Sequence, residues 1–77
     1  MDELLNILSE LHPDVDFEEE DMLVDNGIID SFDIVTIVSE IQERMDVVIG
    51  AKYITPENFN SAEALYDLIE QIREEEA

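Results

Sequence analysis

Apolar side chains recur at helical spacing in three stretches of this chain. In the first, Leu4, Ile7, Leu8 and Leu11 share one face, Leu5 flanks it, and Asp2, Glu3, Asn6, Ser9 and Glu10 oppose it. This predicts a helix that stops near His12, because the residue before Pro13 is pushed out of the helical region. In the second stretch, Ser31 to Met45, the residues Ile34, Val35, Ile37, Val38, Ile41 and Met45 form one broad stripe. Phe32 falls on the other side, with Asp33, Thr36, Ser39, Glu40 and Glu43, so the wheel predicts a partly exposed aromatic. The third stretch, residues 61 to 73, has Ala62, Leu65, Tyr66, Leu68, Ile69 and Ile72 on one face and Glu63, Asp67, Glu70 and Gln71 on the other.

The segments between are less periodic. Residues 13 to 30 read as a long connection carrying Val15, Phe17, Met22, Leu23 and Ile28 among acids, a composition that predicts a loop packed against the helices. Val47-Val48-Ile49 is short and β-branched and reads as an extended connector with some core contact. Thr55-Pro56-Glu57 resembles a helix start, with a capping hydroxyl and a proline in the first turn. Asn60-Ser61-Ala62-Glu63 soon signals another start with a capping-box-like pattern, so only a short helix fits between. The expectation is an all-α single domain over residues 1–77: a small four-helix bundle with three longer helices, a short third helix and a long loop between helices one and two. Residues 74–77 should form a frayed acidic tail, since acids oppose the dipole at a helix carboxyl end.

Charge narrows the possible partners. The chain of 77 residues holds 22 Asp plus Glu against 3 Lys plus Arg, a formal net charge of −19, which argues against nucleic-acid binding and for basic partner surfaces. Hydrophobic residues make up 45% and are placed periodically, so the chain is expected to fold despite its charge. It has no cysteine to brace it or bind metal. No apolar stretch approaches the roughly 20 residues of a membrane span, and Met1-Asp2-Glu3 lacks the basic start of a secretory signal, so a cytoplasmic monomer is expected. Glu18-Glu19-Glu20-Asp21 reads as a solvated face; it lacks the alternating ligands and central glycine of a calcium loop.

The chemistry concentrates at Gly27-Ile28-Ile29-Asp30-Ser31-Phe32, a tight turn running into the second helix. Either Asp30 or Ser31 can cap that helix. A phosphate esterified to Ser31 would also be favoured there, facing the unpaired amides and positive dipole end of a helix start. Catalysis by this serine is not expected. A nucleophile needs a base and oxyanion donors, the only histidine is His12, read as a solvated helix-end residue, and no G-x-S-x-G elbow surrounds Ser31. The expectation is therefore no enzyme, no catalytic residue and no metal site.

Asp25-Asn26-Gly27-Ile28-Ile29-Asp30-Ser31-Phe32, followed by an amphipathic helix, resembles the attachment region of acyl carrier proteins, and the order of elements matches that family over nearly the whole chain. Gly27 to Phe32 and Glu40-Ile41-Gln42 look more like D-alanyl carrier proteins, while Ile54 to Phe59 looks like generic acyl carriers. The resemblance implies that Ser31 carries covalent 4′-phosphopantetheine, whose thiol holds an acyl or aminoacyl group as a thioester for fatty-acid, cell-wall or specialised-metabolite biosynthesis. It places Asp30 and Phe32 where the family has its flanking acid and bulky apolar residue. Implied partners are a phosphopantetheinyl transferase, an acyl- or aminoacyl-adenylating ligase and downstream acyl-transferring enzymes with basic patches. Asp33, Glu40 and Glu43 are the candidate contacts for those patches. The alternative expectation is an unmodified acidic module that binds basic surfaces by mimicking a polyanion.

Overall fold

The computed structural model describes residues 2–76, so Met1 and Ala77, the last residue of the expected tail, lie outside the described residues. Four α-helices follow in order: α1 (Asp2–Leu11), α2 (Ser31–Met45), α3 (Pro56–Phe59) and α4 (Ala62–Glu76), with a 3-10 turn at Ala51–Tyr53. There is no strand among the described residues. Helix α1 packs on α2 and on α4, and α3 packs on α4.

Each boundary has a local cause. Helix α1 stops at Leu11, where His12 still donates its amide to Leu8 O at 3.0 Å but Pro13 blocks continuation. Helix α3 starts with Pro56 in its first turn, and Thr55 caps it through Oγ1, which accepts from the Asn58 amide at 3.3 Å. The cap of α4 is Ser61 alone, whose Oγ accepts from the Ala64 amide at 3.0 Å. The capping-box pattern predicted there is thus a single cap, because Asn60 turns its side chain to the long loop instead.

The core joins Leu4, Ile7 and Leu8 of α1 to Ile37 and Ile41 of α2 and to the predicted stripe of α4, in which only Tyr66 is half-buried. Burying each such aliphatic side chain contributes roughly 1.5–3 kcal/mol. The loop supplies Phe17 and Leu23 to this core, as its composition predicts, with Val15 and Ile28 packed at its edge; Met22 stays exposed, and Ile29, which the composition does not single out, is buried instead. Val47 and Ile49 are buried while Val48 faces water, the alternation of an extended connector. No polar or charged side chain among the described residues is buried, which keeps the acidic charge in water.

Val35 is 64% exposed rather than part of the buried stripe, because it stands three residues from Phe32 and so belongs to that outer face. The segment expected to fray is helical through Glu76. Tyr53 Oη reaches across to Glu75, with 3.0 and 2.9 Å to its two carboxylate oxygens, and Arg73 Nη1 pairs with Glu70 Oε1 at 3.3 Å. These contacts supply the last turn of α4 with partners that the local sequence does not reveal.

Candidate functional site

The approach to Ser31 is a closed turn. Leu23 O accepts from both the Ile28 and Ile29 amides, at 2.9 and 3.0 Å, while the Gly27 amide reaches Val24 O at 3.0 Å. Gly27 sits at φ 71°, a left-handed conformation that a side chain would strain. Ile29, 2% exposed, then sinks into the core and fixes where the helix begins.

Asp30 is the cap of α2, with φ −115° and ψ −174°. Its Oδ1 accepts from the Asp33 amide at 2.9 Å, and Asp33 Oδ2 accepts from the Asp30 amide at 3.3 Å, a reciprocal box. Two carboxylates thus answer the unpaired amides and positive dipole of the helix start. Because Asp30 is the cap, the exposed Ser31, first residue of the helix, is not needed for capping.

His12 is not the solvated residue expected from sequence. Its Nε2 donates to Asp33 Oδ2 at 3.0 Å, tying the end of α1 to the start of α2, and only 29% of its side chain is exposed. Burial works to raise the Asp33 pKa, but the hydrogen bond from His12, the backbone amide of Asp30 and the imidazole's charge together hold it below the ordinary carboxylate value. The acid of this half-buried pair is committed to the fold, which leaves Asp33 less free for a partner than its helical-wheel position implies.

Beside Ser31, Phe32 is 79% exposed, as the wheel predicts, and Val35 extends the bare apolar strip by one turn. Asp30, Ser31, Phe32 and Asp33 are therefore gathered at one end of α2. Glu40 and Glu43 lie about 14 and 18 Å further along its axis from Ser31, at the helical rise per residue. Glu40 stands 3.8 Å from Arg44 Nη1, which also pairs with Glu10 Oε2 at 2.8 Å, while Arg44 Nη2 lies 3.6 Å from Glu3 Oε2. Glu43 is exposed and enters no ion pair among the described residues.

Residues that the sequence reading passed over also shape the site. Asn60, at the end of α3, binds the loop at Leu23, Val24 and Asp25, and no local pattern announces a contact across more than thirty residues. A cleft of about 430 Å³ opens elsewhere, between Leu5, Phe17, the Glu18–Asp21 run and Ser61 to Glu63, and its lining includes no residue of the Ser31 turn. Among the described residues no group of His, Asp or Glu is arranged to hold a metal ion, and no helix is long and apolar enough to cross a membrane. No protein-family model matches the chain, and no curated protein matches it.

Proposed function

We propose that this chain is an acyl carrier protein, a small four-helix bundle that holds an acyl or aminoacyl group on 4′-phosphopantetheine attached to Ser31. The observation that carries this reading is an exposed hydroxyl, not needed for capping, at the first position of a rigidly capped helix beside a bare aromatic. A group attached at such a position extends into water, and the helix dipole favours its phosphate. Asp30 and Asp33 oppose that phosphate in charge, but their oxygens are turned to backbone amides and, for Asp33, to His12. When bound, the group supplies the thiol to which the cargo is joined.

In the attachment reaction Ser31 Oγ bonds to the phosphopantetheinyl phosphorus of coenzyme A. The phosphoanhydride bond to the adenosine bisphosphate breaks, and a base of the transferase takes the serine proton. Phe32 and Val35 give partners an apolar landing strip, and Glu43 with Glu40 steers basic patches toward it. An adenylating ligase and downstream acyl-transferring enzymes would meet the same surface.

The test is intact-protein mass after incubation with coenzyme A and a broad-specificity phosphopantetheinyl transferase. Wild type gains one phosphopantetheine and Ser31→Ala gains none; an unchanged wild type, or equal gain on the variant, overturns the reading. One observation favours the polyanion alternative: Arg44 and Arg73 are ion-paired and Lys52 Nζ lies 5.0 Å from the Tyr53 ring centroid, so acids dominate the surface. That reading predicts salt-sensitive binding to a basic partner that Ser31→Ala leaves intact.

A further inference from the structure

We propose that Asn60 is a positioning residue for Ser31, holding the turn that precedes it in the register from which the serine is presented. Asn60 Oδ1 accepts from the Val24 amide at 2.9 Å and the Asp25 amide at 3.1 Å. Its Nδ2 donates to Asp25 Oδ2 at 3.2 Å, and its main-chain oxygen accepts from the Leu23 amide at 2.8 Å. One residue at the end of α3 therefore meets three consecutive loop residues.

The side chain chemistry is specific. Two adjacent amides need one acceptor oxygen, and the Asp25 carboxylate beside them needs a donor, a combination that a primary amide provides. Aspartate would keep the acceptor and set two carboxylates against each other; serine offers a single shorter atom. The turn starting at Leu23 then closes on the Leu23 carbonyl through Ile28 and Ile29, and Asp30 and Ser31 follow directly. Fixing the start of the turn fixes where the helix start stands, and small errors in placing a reacting group are costly in rate.

The role in presenting Ser31 rests on the carrier reading; the role in holding the turn does not, and the experiment separates them. Amide hydrogen exchange of unmodified protein and steady-state phosphopantetheine transfer from coenzyme A are measured for wild type, Asn60→Ala, Asn60→Asp, the double variant Asn60→Asp with Asp25→Asn, and Ser61→Ala. All are compared at a temperature where circular dichroism shows each folded. Ser61→Ala loses a neighbouring cap and none of the hydrogen bonds to Leu23, Val24 or Asp25, and so reports general destabilisation.

In Asn60→Ala, exchange at Val24 and Asp25 is expected to rise about tenfold, the scale of a lost hydrogen bond. Transfer kcat falls while KM for the protein stays within about twofold, the split expected when orientation rather than docking is lost. Asn60→Asp shares the kcat defect, and the double variant, which exchanges acid and amide across the same contact, recovers it. Ser61→Ala changes neither. Unchanged exchange in Asn60→Ala, a defect confined to KM, equal effects from Ser61→Ala, or a double variant no better than Asn60→Asp would each overturn the assignment. If wild type accepts no phosphopantetheine, the carrier reading and the presenting role fall together, and exchange alone decides whether Asn60 holds the turn.

Discussion

At its first turn α2 sets the carboxylates of Asp30 and Asp33 against unpaired amides, whereas it leaves its last turn through Asp46, an acid in the left-handed conformation at φ 56° and ψ 40°. The first arrangement uses negative charge where the helix dipole is positive. The second puts negative charge where the dipole is already negative, in a backbone conformation that glycine adopts more cheaply. Arg44 places a positive charge in the last turn, where the dipole favours one, and ties it to Glu10 and Glu3 on α1, with its own pKa raised first by the Glu10 hydrogen bond. In so acidic a chain the placement of each acid matters more than their number. One end of α2 is built from local, geometrically defined hydrogen bonds; the other depends on exposed ion pairs that salt screens.

The largest expected effect tests whether the first turn also needs its apolar anchor. Ile29→Ala should cost about 2–5 kcal/mol in urea unfolding, the scale of a truncated core aliphatic; a loss far below that would mean the polar box alone fixes the helix start. Removing the acid at either end should then give opposite signs. Asp30→Ala should destabilise by about 1 kcal/mol, a typical capping loss, whereas Asp46→Gly should stabilise by about 0.5 kcal/mol through relief of left-handed strain and dipole repulsion. Equal signs in the two melting curves would erase the contrast.

Acid titration sharpens it further. Because the fold holds the Asp33 pKa below its ordinary value, the ionised carboxylate contributes stability that is complete above about pH 4 and is lost as pH falls through the lowered folded-state value. The gap in melting temperature between wild type and Asp33→Asn should therefore be full above about pH 4 and close on acidification below it. A constant gap would show that the ionised form has no special role at this turn. The smallest effect is expected from Phe32→Ala, within about 0.5 kcal/mol in stability as for other surface positions, with the loss appearing instead in partner association.

Much of this architecture was legible in the chain. Helices α1 and α2 announce themselves through apolar spacing bounded by Pro13 and by the Asp30-Ser31 start, and the exposure of Phe32 follows from its phase on the wheel. Val35 departs from its stripe because an apolar residue at the edge of a broad stripe can face either way, and only packing decides. The burial of Ile29 leaves no trace in the sequence, because a loop has no period to betray a buried residue. The choice between Asp30 and Ser31 as cap was left open by sequence, since both types suit it, and backbone geometry assigns it to Asp30. The contacts of His12 with Asp33 and of Asn60 with the loop join residues far apart in the chain, where no spacing rule reaches. The 3-10 turn at Ala51–Tyr53 is too short to leave a periodic trace.

The double acceptance at the Leu23 carbonyl has a mechanical consequence. It makes residues 23–29 a ring whose two ends, Leu23 and Ile29, are both pinned in the core at 1% and 2% exposure. A pull applied through the Ser31 side chain meets this ring and the capped helix start first, and the bond from His12 to Asp33 passes part of it to the end of α1. The turn is held at both ends and the exposed Ser31 lies outside it, so the freedom left at Ser31 is that of its own side-chain torsions.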